Sequence, residues 1–235
     1  MSDRSQHLKK ELRDLASPVQ AGILARFFKT GPGEYGEGDI FLGVMVPQSR
    51  KLVHKYRDLN LADVIELLQT KIHEQRLTAL LILVDQFERG DEQERKKIYK
   101  LYLKNTVWIN NWDLVDLTAP KIVGEYLLGR PRAILYKLAK AKNLWERRIA
   151  VLATFSFIRQ GDFSDTLLLS ERLFADEHDL MHKAIGWMLR EVGKREEKIL
   201  EAFLDKFSHK MPRTMLRYAI EKMPDAKRKH YLKKF

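Results

Sequence analysis

The sequence predicts an all-α fold of stacked helical hairpins, an α-solenoid. Apolar residues recur with helical spacing, as in Leu77, Leu80, Leu81 and Val84, which would bury one face of a helix. Alternating apolar and polar residues, which would indicate β-strands, are scarce. Short segments also resemble one another at a period of about 36 residues, which is typical of helical repeats that stack on their neighbours.

Residues that favour helix ends locate several of the elements. Ser17, Pro18 and Gln20 predict a helix with Ser as its N-cap, Pro in the first position and Gln in the third. Gly90 and Gly193 each follow a helical run, and we expect them to end those helices as C-caps.

The repeat is clearest in the segments 75–81, 146–152 and 182–188. Each carries a basic residue three positions before a small one, in the pairs Arg76 and Ala79, Arg147 and Ala150, and Lys183 and Gly186. A small residue at a fixed position lets neighbouring helices approach closely. The same period predicts two further repeats, near residues 111 and 217.

Equivalent positions in stacked repeats become neighbours, about 8–10 Å apart. Trp112 and Arg148 are 36 residues apart and so share a position in the repeat. Asp116 follows Trp112 by one helical turn, and Trp187 falls at nearly the position of Asp116 two repeats later. We therefore expect one surface to carry two indole rings, a carboxylate and a guanidinium. The alternatives are that the tryptophans are core residues and that Arg148 is a structural ion-pair partner of Asp116.

Two aspartates in this region have different expected roles. Asp113 is expected in the first turn of a helix capped by Asn110 or Asn111, where the helix dipole favours a carboxylate. Asp116 lies deeper in the helix, among apolar residues, where aspartate is a poor helix former. Asp116 is therefore the stronger candidate for a functional group.

Composition argues against several other kinds of site. The chain has no cysteine, which excludes disulfides and thiolate chemistry, and it has no Gly-x-Ser-x-Gly motif. His178 and His182 are four residues apart, but no glutamate follows the first histidine as a zinc-protease motif requires. We therefore expect no metal and no cofactor. Because no apolar run approaches the roughly 18 residues of a membrane span, and the first residues are charged, we expect a cytoplasmic protein without membrane contact.

Positive charge is concentrated in the second half of the chain. The net charge is +11; residues 1–117 carry 18 Lys and Arg against 17 Asp and Glu, whereas residues 118–235 carry 25 against 15. A one-sided basic excess suggests a polyanionic partner, with a merely solvated basic surface as the alternative.

The segment 30–39 interrupts the helical pattern because it holds four of the 12 glycines. Such a segment is expected to be a loop, and it is not a P-loop, since no Gly-Lys-Ser/Thr follows. Two interpretations stay open: a connector between the first helices, or a loop that contacts a ligand or a DNA backbone.

Three strings resemble the AlkD family of DNA alkylation repair glycosylases in both order and spacing. They are Trp112–Asp116, Asn143–Ala150 and Lys183–Glu191, and the resemblance extends over nearly the whole chain. It implies a single domain over residues 1–235, with a loop at 30–39 and a basic end at 226–235. The implied architecture is a right-handed superhelical stack of HEAT-like repeats whose concave basic groove holds duplex DNA. The implied reaction is the excision of cationic N3- or N7-alkylated purines without a base-flipping pocket.

The resemblance also assigns roles to individual residues. Asp116 matches the catalytic carboxylate, Trp112 and Trp187 match the aromatic walls that contact the deoxyribose, and Arg148 matches an assisting arginine. Residues expected to contact DNA phosphates are Lys183, Arg190, Arg50, Lys51, Arg213 and Arg217. We expect a monomer that is associated with the nucleoid when it is bound to DNA.

Phe27 is a departure from the family pattern. A tyrosine commonly faces the groove at this place, and Phe27 would keep the stacking on DNA but lose the hydroxyl. The loop at residues 31–38 also looks longer than in the family. Some relatives with this fold bind DNA without excising bases, so a non-catalytic DNA-binding protein is the second hypothesis. A third is a helical-repeat scaffold that binds no nucleic acid.

Overall fold

The computed structural model describes residues 2–233 of the chain. Over that range the protein is 72% helical and contains no β-strand, as expected for an α-solenoid of helical repeats. An isolated parallel bridge joins Ile40 to Ile72. The all-α prediction is therefore confirmed. None of the described helices is both long enough and apolar enough to cross a membrane.

The chain divides into two compact units, Met1–Thr118 and Ala119–Phe235. The helices that begin in the first unit are α1 (Asp3–Asp14), α2 (Pro18–Phe27), α3 (Val46–Tyr56), α4 (Leu61–Leu68), α5 (His73–Arg89), α6 (Glu92–Lys104) and α7 (Trp112–Ala119), with a 3₁₀ turn at Thr106–Trp108. The prediction of a single domain over residues 1–235 stays a prediction.

The second unit begins with a π-helical turn, Pro120–Gly124. Its α-helices are α8 (Glu125–Leu127), α9 (Ala133–Leu138), α10 (Leu144–Arg159), α11 (Ser164–Arg172), α12 (Asp179–Gly193), α13 (Glu197–Phe207), α14 (Arg213–Ala219) and α15 (Asp225–Lys233), with a 3₁₀ turn at Ser208–Lys210. Helix α15 contains most of the predicted basic end at residues 226–235. The last two residues of that predicted segment, 234 and 235, lie outside the described residues.

The predicted helix ends agree with the structure to within one residue. Ser17 caps α2, its hydroxyl oxygen accepting from the N–H of Gln20 at 3.3 Å, and Pro18 is the first helical residue. Gly90 is the C-cap of α5, as predicted. Gly193 is the last residue of α12, and Lys194 takes the cap position.

Helix α5 is the centre of the first unit, and its amino-terminal residues are buried although they are polar. The carboxylate of Glu74 accepts the backbone N–H groups of Leu42 (2.9 Å), Gly43 (2.8 Å) and Val44 (3.2 Å). Gly43 has a φ of 84°, and a Cβ there would lie 2.3 Å from the carbonyl oxygen of Ser17. A residue with a side chain is therefore excluded where this segment passes the start of α2.

Glycines allow close helix contacts in the second unit. A Cβ at Gly124 would lie 2.3 Å from the carbonyl oxygen of Ala153 in α10. One at Gly186 would lie 2.5 Å from the carbonyl oxygen of Met215 in α14. The predicted role of Gly186 as the small residue that lets helices approach is confirmed.

The structure corrects the predicted repeat register. Arg76 and Arg147 are the fourth residues of α5 and α10, and each donates to the carbonyl oxygen six residues before it, at 2.9 and 3.1 Å. The fourth residue of α12 is His182, not Lys183, and it donates to the carbonyl oxygen of Asp176, also six residues earlier. The predicted alignment of Lys183 with the two arginines is therefore wrong by one residue.

A second shift concerns the candidate site. Asp116 is the fifth residue of α7 and Arg148 is the fifth residue of α10, whereas Trp112 is the first residue of α7. Within the repeat, Arg148 thus corresponds to Asp116 rather than to Trp112. The error arose because the period varies from one repeat to the next.

Candidate active site

Helix α7 carries both Trp112 and Asp116, which lie one turn apart and are partly exposed. Asp113, between them, is buried. The side-chain oxygen of Asn111 accepts the backbone N–H of Trp112 at 2.8 Å, so Asn111 acts as the cap of this helix. The predicted place of Asp113 in the first turn of this helix is confirmed. Asp113 is buried and Asp116 reaches solvent, and the functional role of Asp116 stays a prediction.

Trp112 lies against an aromatic cluster that the end of α2 helps to build. Its ring stacks on Phe28, with centroids 5.1 Å apart, and meets the edge of Phe27 at 5.9 Å. Phe28 in turn stacks on Phe41 at 5.1 Å. Phe27 is 61% exposed, so it lies beside Trp112 at the surface of the first unit. The structure thus brings together two residues that the sequence places 85 positions apart.

A buried charge network lies beneath this aromatic cluster. The two ring nitrogens of His73 lie 3.0 Å from Asp39 Oδ2 and 2.8 Å from Asp113 Oδ2. Arg76 donates to the other oxygen of Asp39 at 2.6 Å, and Asn111 donates to Asp39 at 3.4 Å. The loop at 30–39 therefore ends in a structural anchor, which supports its interpretation as a connector.

The pKa values in this network reflect paired charges. Burial alone would lower the pKa of His73, but the charge and hydrogen bond of Asp113 and the hydrogen bond of Asp39 raise it to about 9. Burial alone would raise the pKa of Asp39, but His73 and Arg76 hold it below its usual value. Both groups are therefore charged at neutral pH.

A buried tyrosine lies near the carboxylate of Asp116. The hydroxyl of Tyr102 is 2.9 Å from that of Thr118, which donates to the carbonyl oxygen of Leu114. Burial and, to a lesser extent, the negative charge of Asp116 raise the pKa of Tyr102. Tyr102 therefore stays neutral at physiological pH.

Arg148 belongs to the second unit and is only 4% exposed. One nitrogen of its guanidinium donates to the carbonyl oxygen of Leu180 at the start of α12, at 2.5 Å. This contact joins α10 to α12, so Arg148 has a structural role. Its predicted meeting with Asp116 stays a prediction, because the two residues belong to different units.

Trp187 is partly exposed on α12 and is fixed by its neighbours. Its indole N–H donates to Glu191 at 3.2 Å, and its ring lies 6.2 Å from that of Phe155. Glu191 is itself buried and accepts from Lys194 at 2.7 Å. These contacts restrict the orientation of the indole ring.

The predicted phosphate contacts differ in their surroundings. Arg190 is 17% exposed and donates to Glu221, so a DNA phosphate would have to compete with this carboxylate. Lys183 pairs with Asp179 at 2.6 Å, and Arg213 donates to the carbonyl oxygen of Leu232 at 3.0 Å. Arg213 is nevertheless exposed, as are Arg50 and Lys51 on α3 and Arg217 on α14. Arg217 lines an open cavity of about 570 Å³.

The histidines that raised the question of a metal have structural functions. His178 caps α12 by accepting the N–H of Leu180 at 3.2 Å, and His182 donates to Asp176 as described above. Over residues 2–233 no three potential metal-ligating side chains come together.

His73 and Asp39 were missed at the sequence level, since each is a single polar residue at the edge of a loop. A signal did exist: α5 begins with four polar residues, His73–Arg76, on what would otherwise be an apolar core helix. Polar residues on a buried helix must find partners, and that rule points to a network.

Comparison with known proteins gives two matches. Residues 8–223 match the model of the DNA alkylation repair enzyme family. A solved structure, "Predicted DNA alkylation repair enzyme from Enterococcus faecalis", superimposes with a TM-score of 0.71 at 17% identity. The match covers 89% of this chain and 97% of that one, and at this identity it supports the fold alone. No curated protein sequence matches significantly. The family match spans nearly the whole chain, and the chain therefore belongs to the DNA alkylation repair enzyme family.

Proposed function

We propose that the protein is a monofunctional DNA glycosylase that releases cationic N3- and N7-alkylated purines, such as 3-methyladenine and 7-methylguanine, from duplex DNA. Family membership supports a role in DNA alkylation repair and indicates DNA as the partner. The observation that carries the finer proposal is the partly exposed carboxylate of Asp116, one helical turn from the indole of Trp112.

The chemistry of a cationic lesion needs one carboxylate. A purine alkylated at N3 or N7 already carries positive charge, so the base can depart without a general acid. Its departure leaves an oxocarbenium-like sugar, which the carboxylate of Asp116 would stabilise while it orients or deprotonates a water molecule. Ordinary glycoside hydrolysis uses two carboxylates because its leaving group must be protonated.

The aromatic residues would supply the walls of this site. An indole face attracts cations and packs against the C–H groups of a sugar, which suits Trp112 and Trp187 beside a cationic nucleoside. Phe27, exposed next to Trp112, would extend the apolar wall. We further propose that Arg148 assists by orienting the carboxylate or a phosphate beside the lesion.

The test is release of methylated bases from methylated duplex DNA by the wild type and by Asp116→Asn. We expect release by the wild type, and a loss of at least about 100-fold in the variant, the scale of one electrostatic stabiliser. Asp14→Asn, which removes an exposed carboxylate from α1, is the matched control and should keep full activity. Release by the wild type no faster than in buffer would refute the proposal.

A non-catalytic DNA-binding protein is the second candidate, and Phe27 is the observation that favours it. Because it lacks a hydroxyl, Phe27 cannot donate a hydrogen bond to a DNA backbone from beside Trp112. This candidate predicts salt-sensitive DNA binding that Asp116→Asn leaves intact, with no base release by either protein.

A further inference from the structure

The start of α7 is held on both sides of Trp112 by one buried network. Asn111, the residue before Trp112, donates to Asp39, and its side-chain oxygen caps the N–H of Trp112. Asp113, the residue after Trp112, is bonded to His73. The two neighbours of Trp112 are thus hydrogen-bonded to Asp39 and His73, which are bonded to each other. A shift of Asp39 and His73 would therefore move the first turn of the helix.

The ring of Trp112 is linked to the same place by aromatic contacts. Trp112 stacks on Phe28, and Phe28 lies 5.1 Å from the ring of His73. The histidine ring also stacks on Phe41 at 4.5 Å, and Phe41 lies against Phe28 at 5.1 Å. His73 is thus enclosed by two aromatic rings and two carboxylates, with only 2% of its surface exposed.

The charges of this network balance when both ring nitrogens of His73 carry a proton. Asp39 and Asp113 face the ring from the loop and from α7, and Arg76 is on the same helix as His73. Two carboxylates and one guanidinium leave one negative charge in a buried place, and an imidazolium neutralises it. A neutral ring could donate to only one of the two carboxylates, so the hydrogen bonds to Asp39 and to Asp113 form together only when the ring is charged.

We propose that His73 is a positioning residue for the DNA-processing site: bonded to Asp39 and Asp113, it fixes the first turn of α7 and so sets where Trp112 and Asp116 meet the DNA. This inference rests on the proposed function for its catalytic consequence. Directional hydrogen bonds define the orientation of a helix end more narrowly than apolar packing does, which is the reason to use buried charges here.

The test separates positioning from stability by removing the hydrogen bonds of His73 without leaving an unpaired buried charge. His73→Gln alone would leave one carboxylate unneutralised, whereas His73→Gln with Asp113→Asn keeps Asp39 paired with Arg76. Leu12→Ala, which removes a fully buried apolar side chain from α1, is the stability control. Three quantities are measured for each protein: the melting temperature, the Kd for duplex DNA, and the single-turnover rate of base release.

We expect the double variant to fold, to bind DNA within a factor of about three of the wild type, and to release bases at least ten times more slowly. Leu12→Ala should melt at a lower temperature yet keep the wild-type rate at 25 °C. A double variant that keeps the wild-type rate would overturn the proposal, as would a Leu12→Ala rate that falls in parallel with its melting temperature.

A measurement that does not depend on base release tests the inference separately from the proposed function. With 5-fluorotryptophan incorporated, the ¹⁹F resonance of Trp112 reports the position of the ring, and Trp112→Phe assigns the signal. We expect the double variant to shift or broaden this resonance and Leu12→Ala to leave it unchanged. An unchanged resonance in the double variant would overturn the positioning role. If the wild type released no base, the glycosylase proposal would fail, and the fluorine experiment would still decide what His73 does.

Discussion

His73 lies between two carboxylates in the interior of the first unit, and its protonation links stability to pH. Burial opposes the charge, but Asp113 and Asp39 raise the pKa of the folded state to about 9, against an ordinary value of 6.5. Because the pKa of His73 is higher in the folded state than in the unfolded state, its protonation stabilises the fold. This stability is fully present below the pKa of the unfolded state and is lost as the pH rises through the pKa of the folded state.

We therefore predict that the free energy of unfolding falls as the pH rises from about 7 to about 10, by up to about 3 kcal/mol from this residue. The measurement is urea unfolding at several pH values, for the wild type and for the variant with both His73→Gln and Asp113→Asn. The variant lacks the group and should show a flatter profile. Equal losses in both proteins would mean that other groups cause the effect.

The sequence predicted the positions of Asp113 and Asp116 within their helix, but it did not predict the partners of Asp113. Position within the helix separates the aspartates, because a first-turn carboxylate is common and one among apolar residues is not. The bond from Asp113 to His73 depends on α5 and α7 packing together, and no local pattern encodes that distance.

The sequence predicted the helix ends well. Ser17, Pro18 and Gly90 act locally, so their roles follow from residue type alone. The register between repeats was less accurate, because turns of different length shift Arg148 and His182 relative to a fixed period. The π-helical turn at Pro120–Gly124 was not foreseen either.

At the scale of elements we predict that Gly186→Ala destabilises the protein. A methyl group would lie 2.5 Å from both the carbonyl oxygen of Met215 and the Cβ of Tyr218, so α12 and α14 would have to separate. The expected loss is about 1–3 kcal/mol, measured by denaturant unfolding.

Gly22→Ala provides the matched control for this prediction. A Cβ at Gly22, in α2, would meet no atom within 4 Å, so the same change should be neutral or stabilise by up to about 1 kcal/mol. The packing account would be contradicted if Gly186→Ala were as stable as Gly22→Ala.

The whole molecule combines a helical-repeat fold with a strong positive charge of +11. Membership of the DNA alkylation repair family indicates DNA as the partner of this basic protein. Because contacts between basic side chains and phosphates release counterions, we expect the binding to depend on salt concentration. The concave basic groove that the resemblance implies stays a prediction.

We predict that Arg217→Ala weakens DNA binding and lowers the slope of log Kd against log salt by about one unit. Arg217 is exposed on α14, within the basic half of the chain. The slope is measured by fluorescence anisotropy with a labelled duplex. Lys10→Ala, which removes an exposed lysine from α1, is the control and should leave the slope unchanged. Equal slopes for the wild type and both variants would remove Arg217 from the DNA-contacting surface.

Base release by the wild type and by Asp116→Asn tests the central claim most directly. The account predicts that the wild type liberates 3-methyladenine or 7-methylguanine from methylated duplex DNA, and that Asp116→Asn still binds this DNA but releases base at least about 100-fold more slowly. Equal release by the two proteins would contradict the role of Asp116. No release by the wild type would contradict the glycosylase itself.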